Sequence, residues 1–270
     1  MSPRRPRMSL IEFLRGLWRI LADRPQIPPA LAGNDLLRLL LNRRSVRRFV
    51  PREISDETFQ TILEVGRLAP STVNLQTWSF AVFTAETWQA AFGRQIPFRA
   101  QRAVIVMGDT HRNRPVLESF PRSPLVDYTV AVMNASLAAM NMNIAAEALG
   151  IASVMLSETG RSGLLDASYL QQTLCLPDGV FPLMTIVFGY PAGAYPSMPP
   201  RLALSDICFT GQYHEMEPRA LQDWMGAMVA GYKASYPRSS FEAQLGVYQS
   251  KIAQAETDLQ RMVFHEEKEE

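Results

Sequence analysis

The chain of 270 residues has few of the residues that build metal centres and disulfide frameworks. It holds two cysteines, Cys175 and Cys208, and three histidines, and their spacing is not typical of metal ligands. We therefore expect no metal site, and we expect both cysteines to be buried as ordinary packing residues in a reducing cytoplasm. The sequence has no run of about 18 apolar residues, so it predicts no transmembrane helix.

Lysine is also scarce, and the positive charge of the protein comes almost entirely from arginine. Three lysines stand beside 24 arginines, and the formal net charge is +1. Residues 1–52 hold twelve arginines against three acidic residues, a local charge of +9, so the remainder of the chain is acidic. Because a guanidinium binds phosphate and carboxylate through a planar fork, this cluster predicts an anionic partner. The candidates are nucleic acid, a membrane surface and a phosphorylated ligand.

Residues 9–22 predict an amphipathic helix, with Leu10, Leu14, Leu17 and Trp18 on one face. An apolar stripe flanked by arginine is typical of helices that bind a membrane surface. Since the rest of the chain is acidic, we expect the helix to wrap a partner subunit instead. Membrane contact through residues 9–22 is the less favoured alternative, and nucleic acid is the least favoured partner.

The hydropathy pattern mixes helices and strands without a regular βαβ repeat, which favours an α+β fold. Ser55 is typical of a helix N-cap, and Gly150 of a helix end. The predicted helices cover residues 9–22, 36–41, 56–68, 126–149, 164–174 and one or two segments within 217–266. The predicted strands cover residues 78–83, 103–107, 152–156 and 183–188.

Three separated segments concentrate the polar residues that suit a ligand. The first is Arg43-Arg44-Ser45-Val46-Arg47-Arg48-Phe49, the second runs from Ala69 to Trp78, and the third runs from Asn141 to Pro191. If the first segment is irregular or extended, alternate residues share one side, and two guanidinia and a hydroxyl converge on an anion such as phosphate. Taken alone, it is more typical of a solvated basic face or a nucleic-acid patch. The second segment is a polar turn, whose hydroxyls and amide suit either hydrogen bonds to a ligand or simple capping.

In this order and at these distances, the three segments resemble the nitroreductase-like family of FMN-dependent oxidoreductases, over about residues 36–210. That family opens with Arg-x-Ser-x-Arg/Lys, continues with Pro-Ser-x-x-Asn-x-Gln-Pro-Trp, and ends with an Ala-rich helix, a strand and Gly-Tyr/His-Pro. One position departs from the pattern, because Thr77 stands where the family has proline. The resemblance implies a three-layer α+β fold with a central, mostly antiparallel sheet flanked by helices. It also implies a homodimer whose flavin site is shared between the chains.

The resemblance implies that twelve residues bind FMN and that no side chain is catalytic, because the flavin carries the chemistry. Some hold the phosphate or the ring edge, others line the flavin from the polar turn, commonly from the other subunit, and others face flavin N5 from the end of a strand. These residues are Arg43, Arg44, Ser45, Arg47, Pro70, Ser71, Asn74, Leu156, Ser157, Glu158, Gly160 and Arg201.

The implied activity is electron transfer from NAD(P)H through FMN to a small organic acceptor, such as a nitroaromatic or a quinone, in ping-pong order in the cytoplasm. Within the family, a reductive dehalogenase of the iodotyrosine deiodinase type is the alternative. The stretch 86–125, taken as the lid that sets the acceptor, contains no lysine, which disfavours that alternative. A protein that docks on a membrane or nucleic acid through its basic N-terminal helix is an alternative of another class.

The sequence predicts three successive regions. Residues 1–34 form a basic amphipathic extension, residues 35–210 form the FMN-binding core, and residues 211–270 form a helical C-terminal extension.

Overall fold

The structure is a computed structural model that describes residues 9–22, 27–116, 123–156 and 163–264. The chain divides into two compact units. The first unit combines Met1–Gly33 with Ser197–Gln249, and the second unit combines Asn34–Pro196 with Ser250–Glu270. In the part of the chain that is described, no helix is long and apolar enough to cross a membrane.

Helices and strands alternate irregularly along the chain. The helices are α1 (Leu10–Ala22), α2 (Asp35–Asn42), α3 (Asp56–Arg67), α4 (Ala85–Phe92), α5 (Pro124–Ala148), α6 (Ala167–Thr173), α7 (Leu204–Ile207), α8 (Pro218–Ser235) and α9 (Phe241–Phe264). The strands are β1 (Trp78–Thr84), β2 (Arg102–Asp109), β3 (Ala152–Leu156) and β4 (Val180–Gly189). Short 3-10 turns lie at Pro29–Leu31, Thr72–Asn74, Pro97–Arg99, Arg114–Val116 and Leu164–Asp166.

The strands form one sheet in the second unit, in the order β1-β2-β4-β3, and neighbouring strands are antiparallel. Every residue of the central strand β2 is buried, and so is all of β4 except Met184. A strand that is covered on both faces has a nearly continuous run of apolar residues. For this reason β2 and β4 could be predicted although polar and apolar residues do not alternate along them.

Helices cover both faces of this sheet. One apolar cluster joins the sheet to α3, α5 and the end of α9, through side chains such as Phe59 and Met142. The other joins the opposite face to α4 and α6, through side chains such as Trp88 and Leu170. The approach of α3 to α5 is close, because a Cβ on Gly66 would lie 2.5 Å from Met142 Cγ. The predicted α+β fold with an antiparallel sheet between helical layers is confirmed.

The local signals for helix ends are confirmed as well. The Ser55 hydroxyl accepts a hydrogen bond from the Thr58 amide at 3.2 Å and caps α3. Gly150 follows α5 with a φ of +70°, a left-handed conformation that glycine adopts without steric cost. No helix was predicted at α4, although Thr84 and Thr87 cap its first turn with reciprocal hydrogen bonds.

In the first unit, α1 packs along α8. A Cβ on Gly16 would lie 2.7 Å from the Cβ of Ala230, so only glycine allows this approach. The predicted apolar face of α1 points largely away from α8, since Leu10 and Trp18 are 72% and 70% exposed. The helix is therefore present as predicted, and most of its apolar stripe is open to solvent in the single chain.

Two expectations from the sequence are wrong. Cys175 and Cys208 are both exposed, because they lie at the ends of the short helices α6 and α7 and not in the core. The stretch 86–125 is not a lid, because it contains the buried central strand β2 and most of α4. An apolar strand in the middle of a sheet cannot move over a site as a lid does.

Candidate functional site

The arginine segment, residues 43–49, is extended and is held against the edge of the sheet. Ser45 forms a parallel bridge with Ser153 of β3, and the Val46 amide donates to the Ser153 carbonyl at 3.1 Å. Val46 is buried, whereas Arg43 and Ser45 are half-buried and Arg47 is exposed. Because alternate residues of an extended chain share one side, Arg43, Ser45 and Arg47 lie opposite the buried Val46 side chain.

The C-terminal end of the arginine segment is fixed by packing. The Phe49 ring lies directly on Gly189, where an added Cβ would come within 2.7 Å of the ring carbons. The next residue, Val50, donates its amide to the Tyr190 carbonyl at 2.9 Å. The segment is thus anchored to β3 at one end and to the end of β4 at the other.

Arg44 turns back towards the helix that precedes it. Its Nη1 donates to the carbonyl oxygens of Leu41 at 2.6 Å and Arg43 at 2.8 Å. A cation at this position stabilises the C-terminus of α2, whose last carbonyls carry partial negative charge. Arg44 thus has a structural role beside any role in binding an anion.

A carboxylate faces the arginine segment from the end of α5. Burial raises the pKa of Glu147 above its ordinary value of 4.5, and a hydrogen bond from Tyr195 and the charges of Arg43 and Arg44 oppose that rise. Burial and the Glu147 charge in turn raise the pKa of Tyr195 to about 12. Neither residue was predicted as part of the site.

The left-handed loop, residues 71–76, connects α3 to β1 and has an unusual backbone. Val73, Asn74 and Gln76 have φ values of +50°, +58° and +49°, although none of them is glycine. Asparagine tolerates this conformation, but a β-branched residue does not, and each such strained position costs about 1–3 kcal/mol. Strain of this kind persists only where surrounding contacts impose it.

The buried side chain of Asn134, on α5, contacts both ends of the left-handed loop. Its Oδ1 accepts from the Thr72 amide at 3.1 Å, and its Nδ2 donates to the Thr77 hydroxyl at 2.8 Å. Asn134 and Thr77 are 1% and 4% exposed, so the bond between them is shielded from water, whereas the bond from the exposed Thr72 is partly buried. Within the loop, the Gln76 amide donates to the Ser71 hydroxyl at 3.1 Å.

The loop is also held from the side of β2. Asn113 donates from Nδ2 to the Leu75 carbonyl at 2.8 Å. Arg112 donates to the carbonyl oxygens of Gln76, at 3.3 Å, and Trp78, and its Nε donates to Asp109 at 3.0 Å. Side chains distant in sequence therefore determine the shape of the loop.

The structure brings the arginine segment to β3, but it places the left-handed loop at the opposite corner of the sheet. The loop precedes Trp78 at the start of β1. Ser153 is aligned, across the paired strands, with Thr84 at the other end of β1. The two ends of β1 are about 20 Å apart along the strand, and the edge strands β1 and β3 are about 14 Å apart across the sheet. In one chain, the two predicted groups of residues are thus roughly 25 Å apart.

The remaining predicted residues are placed as follows. Pro70 and Asn74 are exposed and Ser71 is half-buried. Leu156 is the buried last residue of β3, and Ser157, Glu158 and Gly160 lie outside the described residues. Arg201 is exposed and belongs to the first unit, whereas the other described residues of the set belong to the second.

A largely apolar cavity of about 310 Å³ lies beside Leu156. Among the described residues, its wall is formed by α5, β3, β4 and the turn after β3, and these contribute two hydroxyl groups and no charged side chain. The lining residues are Tyr128, Val132, Ser136, Met155, Leu156, Leu164, Leu183 and Met184. Such a wall suits an uncharged, flat organic molecule or ring.

Sequence reasoning missed Asn134, Glu147 and Tyr195. For Asn134 a signal existed, because an amide within an Ala-rich and Met-rich helix is costly to bury unless it is hydrogen-bonded, but the pattern does not distinguish it from Asn141 and Asn143 of the same helix. No local pattern links Glu147 to Tyr195, which lie on separate elements 48 positions apart.

Comparison with known proteins gives one family. The profile described as the nitroreductase family matches residues 40–190. A putative NADH dehydrogenase/NAD(P)H nitroreductase of Archaeoglobus fulgidus is 32% identical over 163 residues, which is 58% of this chain and 86% of that protein. A 4-nitrobenzoate reductase of Pseudomonas putida is 43% identical over 61 residues, 23% of this chain and 27% of that protein.

Solved structures share the fold. NfrA2 of B. megaterium superposes with a TM-score of 0.70 at 20% identity, covering 85% of this chain and 98% of that one. The NADPH:FMN oxidoreductase of Vibrio harveyi, solved with NAD+, superposes with a TM-score of 0.64 at 23% identity, covering 81% of this chain and 98% of that one.

Proposed function

Because the chain belongs to the nitroreductase family, we propose that it transfers electrons from NAD(P)H through FMN to a small organic acceptor, such as a nitroaromatic or a quinone, in ping-pong order. The protein is an oxidoreductase that uses FMN as cofactor and NAD(P)H as electron donor. The acceptor and the order of the two half-reactions are the parts proposed.

The observation that carries the proposal is the geometry of the arginine segment. An FMN phosphate needs donors that converge from one side, and Arg43, Ser45 and Arg47 share one side of an extended chain. The single carboxylate of Glu147 faces two guanidinia, those of Arg43 and Arg44. It therefore neutralises only part of the positive charge of the segment. The residues present therefore fit the cofactor.

In this assignment, Arg43 and Arg47 bind the phosphate and a ring edge, where positive charge favours the additional negative charge of the reduced cofactor. Bound FMN supplies the redox chemistry, accepting electrons from NAD(P)H and passing them to the acceptor. Ser71 and Asn74 supply hydrogen bonds that orient the ring. The cavity beside Leu156 holds the acceptor in a largely apolar surrounding that excludes water.

We further propose that the site is completed by a second copy of the chain. The arginine segment and the left-handed loop lie at opposite corners of one sheet, which favours a site in which each chain supplies one of them. A free apolar stripe along α5 supports this assembly, because its residues follow one another at intervals of seven, four and three, as in helix pairs. The exposed members of the stripe are Val126, Met133, Leu137 and Met140.

The proposal also keeps the sites and regions expected from the sequence. Ser157, Glu158 and Gly160 are assigned to flavin N5 by their positions in the family pattern. Residues 35–210 are assigned to the FMN-binding core.

Three measurements test the proposed function. The purified protein is expected to be yellow, with about one FMN per chain, and to sediment as a dimer. Steady-state kinetics with NADH or NADPH and a varied quinone or nitroaromatic are expected to give parallel double-reciprocal lines. A colourless protein that takes up no FMN would refute the function, and intersecting lines would refute the ping-pong order. Halotyrosines in the acceptor panel test the dehalogenase alternative.

A further inference from the structure

The left-handed loop keeps its strained shape in a sequence that lacks the proline of the family pattern. Proline restricts the residue before it to extended conformations, and Gln76 has a φ of +49°. Thr77 at the proline position is therefore compatible with the observed backbone, whereas proline would disfavour it. The hydroxyl of Thr77 is also the group that Asn134 contacts.

We propose that Asn134 and Thr77 form a clamp that holds the left-handed loop in the shape that presents Ser71 and Asn74. Asn134 is thus a positioning residue that acts through the loop. Its role at the flavin rests on the proposed function, because only that function makes Ser71 and Asn74 ligands.

The orientation of the Asn134 amide follows from its partners. The Thr72 amide can only donate, so the atom 3.1 Å from it must be the Asn134 oxygen. The Asn134 nitrogen then points to the Thr77 hydroxyl at 2.8 Å, which accepts. One rigid side chain therefore joins the residues that begin and end the loop, and it fixes the separation between them.

Burial makes this clamp effective. Asn134 and Thr77 are almost fully shielded from water, so loss of either of these two side-chain groups leaves the other buried without a hydrogen-bond partner. The hydrogen bond from Gln76 to Ser71 closes the loop internally, but Ser71 and Gln76 are more exposed, so water can compete for it. The buried clamp is the stronger constraint on Val73 and Asn74.

The experiment compares Thr77→Val, which removes only the hydroxyl, with Asn134→Ala and with the conservative Thr77→Ser. The matched control is Asn141→Ala on the same helix, whose amide donates to the Val65 carbonyl at 3.2 Å, away from the loop. Amide hydrogen exchange of the peptide 70–78 is measured on the full chain without FMN. FMN affinity is then measured by quenching of flavin fluorescence, and thermal unfolding reports overall stability.

We expect Thr77→Val and Asn134→Ala each to accelerate exchange in this peptide and to weaken FMN binding by about tenfold. Thr77→Ser should remain close to the wild type in both. Asn141→Ala should lower the unfolding temperature without changing either readout, which separates positioning from general destabilisation.

Exchange no faster in Thr77→Val and Asn134→Ala than in Asn141→Ala would overturn the clamp. Faster exchange with unchanged FMN affinity would overturn the positioning role. If the wild type itself binds no FMN, the proposed function fails, and exchange in the flavin-free chain still decides whether the clamp exists.

Discussion

The arginine segment and the left-handed loop are both assigned to the flavin, yet they are held in different ways. Backbone hydrogen bonds to Ser153 and Tyr190 fix the arginine segment, which keeps a relaxed extended conformation. Side chains from α5 and from beyond β2 fix the left-handed loop, which is strained at Val73. The first region depends on sheet geometry and should tolerate changes at Arg43 and Arg47, whose side chains do not hold it, whereas the second depends on individual hydrogen bonds.

The largest effect is expected from removing charge in the arginine segment. A hydrogen bond to a charged group contributes about 1.5–3 kcal/mol, so Arg43→Ala combined with Arg47→Ala should weaken FMN binding at least about 100-fold. Because the segment is held by its backbone, stability without FMN should hardly change. Fluorescence titration with FMN and urea unfolding measure the two quantities.

Arg48→Ala provides the control, since Arg48 is exposed and lies on the other side of the extended segment. It removes the same charge and should reduce FMN affinity by no more than about threefold. Equal losses for Arg48→Ala and for either Arg43→Ala or Arg47→Ala would mean that general electrostatics, not directed donors, binds the phosphate.

The second prediction tests the left-handed loop by restoring the family residue. Thr77→Pro removes the acceptor of Asn134 Nδ2 and disfavours the conformation of Gln76, so it should lower the free energy of unfolding by about 2–3 kcal/mol. Urea unfolding of the flavin-free chain measures this change. A variant as stable as the wild type would show that Thr77 is a neutral replacement for proline.

The different anchoring of the two regions also explains what the sequence could predict. The strands and the Ser55 cap follow from local patterns, and the structure has them where they were expected. The extended backbone that puts Arg43, Ser45 and Arg47 on one side is local as well. The conformation of the loop depends on Asn134, which lies 62 positions from Thr72. A pattern of neighbouring residues carries no information about such a contact.

The same limit applies to the two expectations that failed. Free cysteine is usually buried, but Cys175 and Cys208 lie where short helices end at the surface. The supposed lid was defined by its position in the family pattern, and its apolar strand, Ala103 to Met107, already indicated a buried element. Here, local hydropathy was a better guide than position in the pattern.

The third prediction has the opposite sign and tests the strain directly. Val73→Gly relieves a left-handed β-branched residue, which is worth about 1–2 kcal/mol, against an entropic cost of about 0.5–1 kcal/mol for glycine in the unfolded chain. We expect a net gain in stability of about 0.5–1 kcal/mol. Val82→Gly, in the edge strand β1, should instead lose about 1 kcal/mol, because glycine weakens a strand. A loss of stability in both variants would mean that the left-handed conformation of Val73 is not strained.

The smallest effect concerns Glu147, the carboxylate that faces the arginine segment. Because burial raises its pKa in the folded state, the folded protein binds this proton more tightly, and the contribution to stability is complete below the ordinary pKa of 4.5. That contribution is lost as pH rises through the folded-state pKa. The free energy of unfolding of Glu147→Gln should therefore decline less steeply above pH 4.5 than that of the wild type.

Tyr195→Phe should extend the decline to higher pH, because it removes a hydrogen bond that lowers the pKa of Glu147. Urea unfolding at a series of pH values measures both slopes, and identical slopes for all three proteins would mean that Glu147 is not coupled to folding. A confirmed coupling would show that burial of Glu147 outweighs the attraction of Arg43 and Arg44, so a side chain from another element limits the charge beside the arginine segment, as Asn134 sets the shape of the left-handed loop.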